Sequence, residues 1–377
     1  MEHIVDMFLK KTGCNDDCSY DTMCQVFFIY FELAITLFFA VSSCLSIANS
    51  TEGLSVRLYG LLCFLIESHI FFFIAVRLYY LPQFRDMYQR TLKMGIPENF
   101  RQRIAMVIKH HFIISNVFVS VSMLYTISMD WVQMGDPFTF PFIDVLPIKT
   151  TNLTIYVCKY ILYTLPVYIA YFETCFLNVT FMYSTGVMKK YFQILDGQVE
   201  EAIVNKDEQQ LKIAIKHHQE VLKFFNDMKT AYEKPILMTI EFCGLYVGLT
   251  SYFSILVIQG YIHQIILGLC IVSSIASLIT IIIYCIYASN MYDLHGIYMH
   301  DGILSALFEH RSVYSRDNSF KRLISIMMTR ATIPLEFKAA SIFTINLNLL
   351  IKILKCVYTV FNVLLTSISR KLKETAV

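Results

Sequence analysis

Seven apolar blocks punctuate the chain, at 26–48, 58–80, 112–131, 155–185, 235–258, 262–287 and 342–365. Crossing the hydrocarbon core of a bilayer takes roughly 20 mostly apolar residues in a helix. No water is available there, so each block must close its own backbone hydrogen bonds, which a helix does. A barrel would demand alternation of polar and apolar positions along each strand. These blocks show no such alternation. The pattern predicts an all-α membrane protein with seven transmembrane helices.

The polar stretches between blocks carry helical periodicity of their own. From Leu211, apolar residues recur at Ile215, Leu222, Phe225, Met228 and Tyr232, a helical stripe. Spans four and five are therefore expected to continue as helices beyond the membrane. Further on, Asn318-Ser319 is placed to cap a helix that buries Phe320, Leu323, Ile324 and Met327, with Pro334 ending it. The chain then divides into an N-terminal segment (1–25), a six-helix bundle with extended helices (26–287), anchor helices (288–341), a last span (342–366) and a short tail (367–377). No internal repeat, low-complexity tract or long linker interrupts this order.

Composition agrees with the blocks and adds an orientation. Hydrophobic residues make up 56% of the 377 and charged residues 16%, against about 45–50% and 25% in soluble domains. Lys and Arg number two in the N-terminal segment and six, eight and six in the loops after spans two, four and six. The opposite side carries five, three of them in the tail (Arg370, Lys371, Lys373), and Arg77, Lys159, Lys352 and Lys355 fall within spans. Basic loops stay cytoplasmic, so the N-terminus lies inside and the C-terminus outside, the basic tail being the exception. This orientation is inverted relative to G-protein-coupled receptors. Their acidic-Arg-aromatic triplet is replaced here by Trp131-Val132-Gln133, and their Asn-Pro-x-x-Tyr motif is absent. Sequons at Asn49 and Asn152 fall in outer loops and are candidate glycosylation sites, whereas Asn178 lies inside span four.

Several chemistries are disfavoured. The first 24 residues are too polar for a cleavable signal peptide. The net charge of +2, with no basic patch interleaved with aromatics, argues against nucleic acid. Cys14, Cys18 and Cys24 lack a second cluster to complete a zinc site and read as reduced thiols. His110-His111 and His217-His218 lack a third ligand, so no metal and no cofactor are expected. No nucleophile elbow, P-loop or paired-carboxylate motif is present, and an enzyme is not expected. Glu32, Glu67, Glu173 and Glu241 lie within spans, where ionisable groups are functional suspects. Structural polar contacts are the expectation for them, including Lys159 with Glu173 if the bundle brings those two together.

The last span carries a polar stripe. Lys352, Lys355, Thr359, Asn362, Thr366 and Ser369 recur at steps of three or four. Such a stripe needs water or a packed partner, because charge in lipid is expensive. A pore and a helix–helix contact both satisfy that need.

Two segments resemble the insect odorant receptor family. One is Leu307-Phe308-Glu309 followed by Ser319-Phe-Lys-Arg-Leu-Ile-Ser-Ile-Met-Met-Thr-Arg-Ala-Thr-Ile-Pro334 and the final span from Phe343 to Phe361. The other is Ile215-Lys-His-His-Gln-Glu-Val-Leu-Lys-Phe-Phe225, similar to the family's inner helix before span five. Tyr358 is kept while Val360 replaces the usual Tyr, which resembles a tuning receptor more than the shared co-receptor.

The resemblance implies a tetrameric, ligand-gated, non-selective cation channel in the plasma membrane of sensory dendrites, assembled with an odorant co-receptor. It implies that the last span lines the pore, with Val363 as a hydrophobic gate ring, Thr366 and Ser367 near the outer mouth, and Thr359 and Asn362 on the same wall. Ser367 departs from the larger apolar residue often found there, which implies a softer gate or one that relies on its partner. The ligand would be a small volatile, apolar or aromatic, held in the outer half of the bundle. With the topology above, candidate lining residues are Phe64, Ser68, His69, Ser122, Tyr125, Met129, Trp131, Tyr163, Tyr168, Ile265 and Leu269. Ordinary helix packing is the competing reading for each. The alternatives are a gustatory-type channel, whose last span usually ends Thr-Tyr-x-x-x-x-Gln, and a metabotropic receptor or transporter.

Overall fold

The computed structural model describes residues 30–44, 54–93, 96–104, 152–258, 265–309, 318–339 and 342–375, with scattered positions between 106 and 121. These residues are almost entirely helical. In chain order they form α1 (Tyr30–Cys44), α2 (Leu54–Lys93), the helical positions between 98 and 121 (α3), α4 (Leu153–Asn205), α5 (Glu208–Ile258) and α6 (Ile265–His295). A π-helical turn, Gly296–Asp301, leads into α7 (Gly302–Glu309). Then come α8 (Asn318–Ala331), a hairpin of β1 (Lys338–Ala339) and β2 (Phe343–Thr344), and α9 (Leu347–Thr375).

Local chemistry sets the ends of the two longest helices. Asn152 caps α4, its Oδ1 accepting from the Ile155 N–H at 2.9 Å. Lys206 ends α4 in the left-handed region (φ 52°), donating its N–H to the Ala202 and Ile203 carbonyls. Asp207 then caps α5, accepting from the Gln209 and Gln210 N–H groups at 2.8 and 3.1 Å. One residue in an unfavourable conformation thus turns the chain through a tight helical hairpin. α4 has 53 residues and α5 has 51, roughly 80 Å and 75 Å of helix, against a hydrocarbon core of about 30 Å. Both therefore extend well beyond any membrane they cross, as the stripe from Leu211 predicts.

Length and apolarity mark fewer crossings than the seven blocks. Among the described residues, Glu208–Val257 and Ser274–Glu309 meet both criteria, and the bent pair Phe64–Tyr80 with Pro82–Thr91 makes a third. That pair bends by 59° at Pro82, whose ring removes a backbone donor and crowds the preceding turn. The α1 helix is apolar but shorter. The last helix starts at Leu347, five residues past the expected boundary, because the hairpin occupies the chain before it. It continues to Thr375, through most of the expected tail.

The core is unevenly distributed. One large cluster gathers the polar-end halves of α2, α4, α5 and α6 with α7, α8 and the hairpin. At its centre Phe181 meets Tyr232, Tyr284 and Phe337 edge-on, with ring centroids 5.2–5.4 Å apart. Phe337 also packs on Phe225 at 5.1 Å. The hairpin before α9 is thereby pinned to the middle of the molecule. Asn346 then caps α9, accepting from the Leu349 N–H at 3.0 Å. At the other ends of the spans the described residues form only small clusters, around Tyr246 and Phe253 and around Ile70, Ile74 and Ile169. In α8, Phe320, Ile324 and Met327 are buried as expected, while Leu323 is half-buried.

Candidate functional site

The polar stripe of α9 faces away from its own bundle. With about 100° per residue, Lys352, Lys355, Thr359, Asn362, Val363 and Thr366 fall within an arc of roughly 100°, and all are exposed. The half-buried positions Leu349, Leu350, Ile353, Val357 and Phe361 lie on the opposite face, and the first three pack on the large core. Val363 is 59% exposed. The Ser367 side chain lies outside the described residues.

The polar groups of this stripe are not equivalent. Thr359 donates to the Lys355 carbonyl and Thr366 to the Asn362 carbonyl, each at 2.8 Å. Both hydroxyls are therefore satisfied by their own helix. The demand for water or a partner falls on Lys352, Lys355 and Asn362.

The span-two candidates do not share one surface. Phe64 and Ser68, with Phe71, line a groove of about 360 Å³ against Leu37, Ala40, Val41 and Cys44 of α1. His69 is turned roughly 140° from Phe64 about the helix. Its ring stacks on Phe242 of α5 at 4.4 Å and contacts Phe73 and Tyr246 at 4.3 and 5.6 Å. Among the described residues its Nε2 has no hydrogen-bond partner, and neither has Oε2 of buried Glu67. Tyr168 is half-buried with its hydroxyl 3.3 Å from Ser120 Oγ. Ser122, Tyr125, Met129, Trp131 and Asn49 lie outside the described residues, as do the side chains of Tyr163, Ile265, Leu269 and Glu173. Asn152 is exposed, and its capping role uses Oδ1, leaving Nδ2 free of that bond. Asn178 is buried, with Nδ2 3.5 Å from Thr280 Oγ1.

Two polar pairs were not foreseen as pairs. Arg77 Nη2 donates to Glu32 Oε2 at 2.6 Å between α2 and α1, with side chains 4% and 2% exposed. Each residue is an isolated charge in an apolar block, and that isolation is the signal that each needs the other. Glu241, in contrast, is exposed on α5.

The second pair is His218 and His295, with their Nε2 atoms 2.7 Å apart and His295 Nδ1 2.7 Å from the Ile333 carbonyl oxygen. A carbonyl only accepts, so His295 carries its proton on Nδ1 and His218 donates through Nε2. The pair ties α5, α6 and the strap after α8 together. Among the described residues no group of three His, Cys, Asp or Glu is placed to hold a metal.

This pair lies in the polar extensions and makes stability pH-dependent. An ordinary imidazole titrates near 6.5. Burial, then His295 and Arg330, push His218 down to about 4. Burial also lowers His295; the bond to Ile333 opposes the shift and Arg330 adds to it. The unfolded chain takes up protons between pH 6.5 and 4 that the folded pair refuses. Stability is thus fully present above about 6.5 and is lost as pH falls toward 4. Thermal unfolding of the detergent-solubilised protein should show Tm dropping through that window, with a shallower drop in His218→Gln. Equal pH slopes in both proteins would sink the assignment.

Comparison with known proteins places this architecture. The family model described as 7tm Odorant receptor matches residues 80–358. The olfactory receptor OR5 from Machilis hrabei, solved in complex with eugenol, superposes with a TM-score of 0.78 at 13% identity, covering 97% of this chain and 98% of that one. A second structure of that receptor gives 0.76 at 13% identity, with 97% of each chain covered. No curated protein sequence matches significantly.

Proposed function

Because the chain belongs to the 7tm odorant receptor family, a family of ligand-gated cation channels in olfaction, we propose that it is an odorant-binding tuning subunit that assembles with a co-receptor into a heterotetrameric, non-selective cation channel. In this reading seven helices cross the plasma membrane of sensory dendrites with the N-terminus inside, and residues 288–341 form a cytoplasmic anchor. The last helix lines the path, Val363 closes it, and Thr366 and Ser367 approach the outer mouth. Asn152 is the candidate glycosylation site. The observation that carries the reading is the stripe on α9, which turns two lysines and an asparagine away from the bundle that supports the helix. Unpaired ammonium groups are not stable against lipid, and a water-filled path on that side meets their need.

The ligand is a small apolar or aromatic volatile. The Machilis receptor's complex with eugenol supports that class. The position is supported by the apolar and aromatic side chains that surround His69 among the described residues, since a pocket needs apolar walls and a few polar groups. His69, among Phe73, Phe242 and Tyr246, is the proposed polar contact on span two, and Tyr168 that on span four.

The test is a panel of volatiles applied to cells expressing the chain with and without a co-receptor subunit. A fast inward cation current, needing co-expression and persisting without intracellular nucleotide, is expected. A response that requires a G protein would reject the channel reading.

A further inference from the structure

The lysines of α9 stand where a cation channel would ordinarily avoid them. Lys352 and Lys355 are exposed, and the ion pairs among the described residues leave both out. They share the face of Thr359, Asn362 and Val363 and precede Val363 by eleven and eight residues. Lys355 therefore sits roughly 12 Å along the helix from the Val363 level. The loop charges put that end of α9 on the cytoplasmic side.

We propose that Lys352 and Lys355 form a cationic collar at the inner end of the conduction path and set how readily divalent cations pass it relative to monovalent ones. The proposal rests on reading α9 as the pore wall. Rings of Lys or Arg in a pore disfavour cations. The repulsion scales with ionic charge, so Ca²⁺ meets twice the penalty that Na⁺ meets. The neutral wall beyond the collar, on which Asn362 places an amide, still passes monovalent ions. Two features keep the collar from closing the channel: each lysine is on a flexible stem, and salt screens its charge over about 8 Å at physiological ionic strength. At a separation of roughly 7 Å in water, each lysine's extra penalty on a divalent ion amounts to at most about a threefold change in the Ca²⁺/Na⁺ permeability ratio, reached when salt screening is weak.

The experiment measures reversal potentials with Ca²⁺ outside and Na⁺ inside, in the Val363→Ala background, with the chain expressed alone and with a co-receptor subunit. Lys352→Gln and Lys355→Gln should each raise the Ca²⁺/Na⁺ ratio measurably, by up to about threefold at low ionic strength. The corresponding Lys→Arg changes should leave it unaltered, which separates charge from side-chain shape. Surface labelling of every variant reports folding. Independently, Thr359→Cys in a Cys356→Ser background is treated from the cytoplasmic side with a cationic methanethiosulfonate, and loss of current is expected. An unchanged ratio together with block of Thr359→Cys overturns the collar and leaves the pore intact. An unchanged ratio with no block, or no current from surface-expressed Val363→Ala, overturns the pore reading and the collar with it.

Discussion

Val363→Ala should raise the ligand-independent current of surface-expressed channels by about an order of magnitude. In the proposed closed state the Val363 side chain of each copy of this chain meets the facing side chains of the neighbouring subunits across the axis, and together they exclude water. A narrow apolar ring blocks ions by dewetting, because a partly dehydrated ion has no polar wall to replace its hydration shell. Val→Ala removes two methyl groups per copy. At about 0.8 kcal/mol per buried CH₂, the closed ring loses roughly 1.5 kcal/mol of contact per copy, a factor of about ten between closed and open states. The hydrated state gains nothing from those methyl groups and is less affected. Val363 is 59% exposed and lies on the face turned from the bundle, so the change leaves this chain's own core untouched. Surface expression should match wild type while basal current rises and evoked current loses dynamic range. Unchanged basal and evoked currents in a surface-expressed variant would remove Val363 from the gate.

The legibility of this molecule divides by the range of the interactions. Features set within a few residues were readable. The α8 helix follows from Asn318, the spacing of Phe320, Ile324 and Met327, and Pro334. The extension of α5 follows from its stripe. The division of the span-two candidates was also readable, since five residues of helix separate Phe64 from His69 by roughly 140°, but treating them as one wall ignored that phase. Other features depend on distant partners. Phe343 and Ile345 read as the start of a span, yet the chain there folds back on Phe337 and Ala339, because Phe337 has a site waiting between Phe181 and Phe225. Only the tertiary core selects a two-residue strand over a helix in such a segment. His218 and His295 are 77 residues apart, and nothing in either local pattern names the other.

The same division suggests how the molecule works. Among the described residues the densest packing lies where α4, α5 and α6 run beyond their apolar halves, and it grips the hairpin that precedes α9. At the opposite ends of these helices the described residues form only small clusters. In the proposed reading a ligand bound at those ends would act on the part of the bundle that the described residues pack less densely, while the foot of the last helix stays fixed. Displacement of the helix above that foot would then widen the proposed ring at Val363 without dismantling the proposed anchor.

Arg77→Met should be among the most damaging single changes in the chain. It leaves the Glu32 carboxylate 2% exposed with its partner gone. A buried ion pair is poor evidence of net stabilisation, since desolvation offsets much of the attraction, but removing one member costs about 3–5 kcal/mol through the charge left behind. That is a large part of the 5–15 kcal/mol that holds a typical domain. The loss concentrates at the α1–α2 contact, where the described residues beside Glu32 form only a small cluster. Surface-expressed protein should fall to a small fraction of wild type. The double change Arg77→Met with Glu32→Leu replaces the pair by apolar side chains and should restore most of the expression, giving a strongly favourable coupling in the mutant cycle. Wild-type expression of Arg77→Met alone would show that the carboxylate is satisfied without the guanidinium. Full expression of the double variant with ligand-evoked current abolished would move the pair from holding α1 in place to conducting the ligand's effect through it.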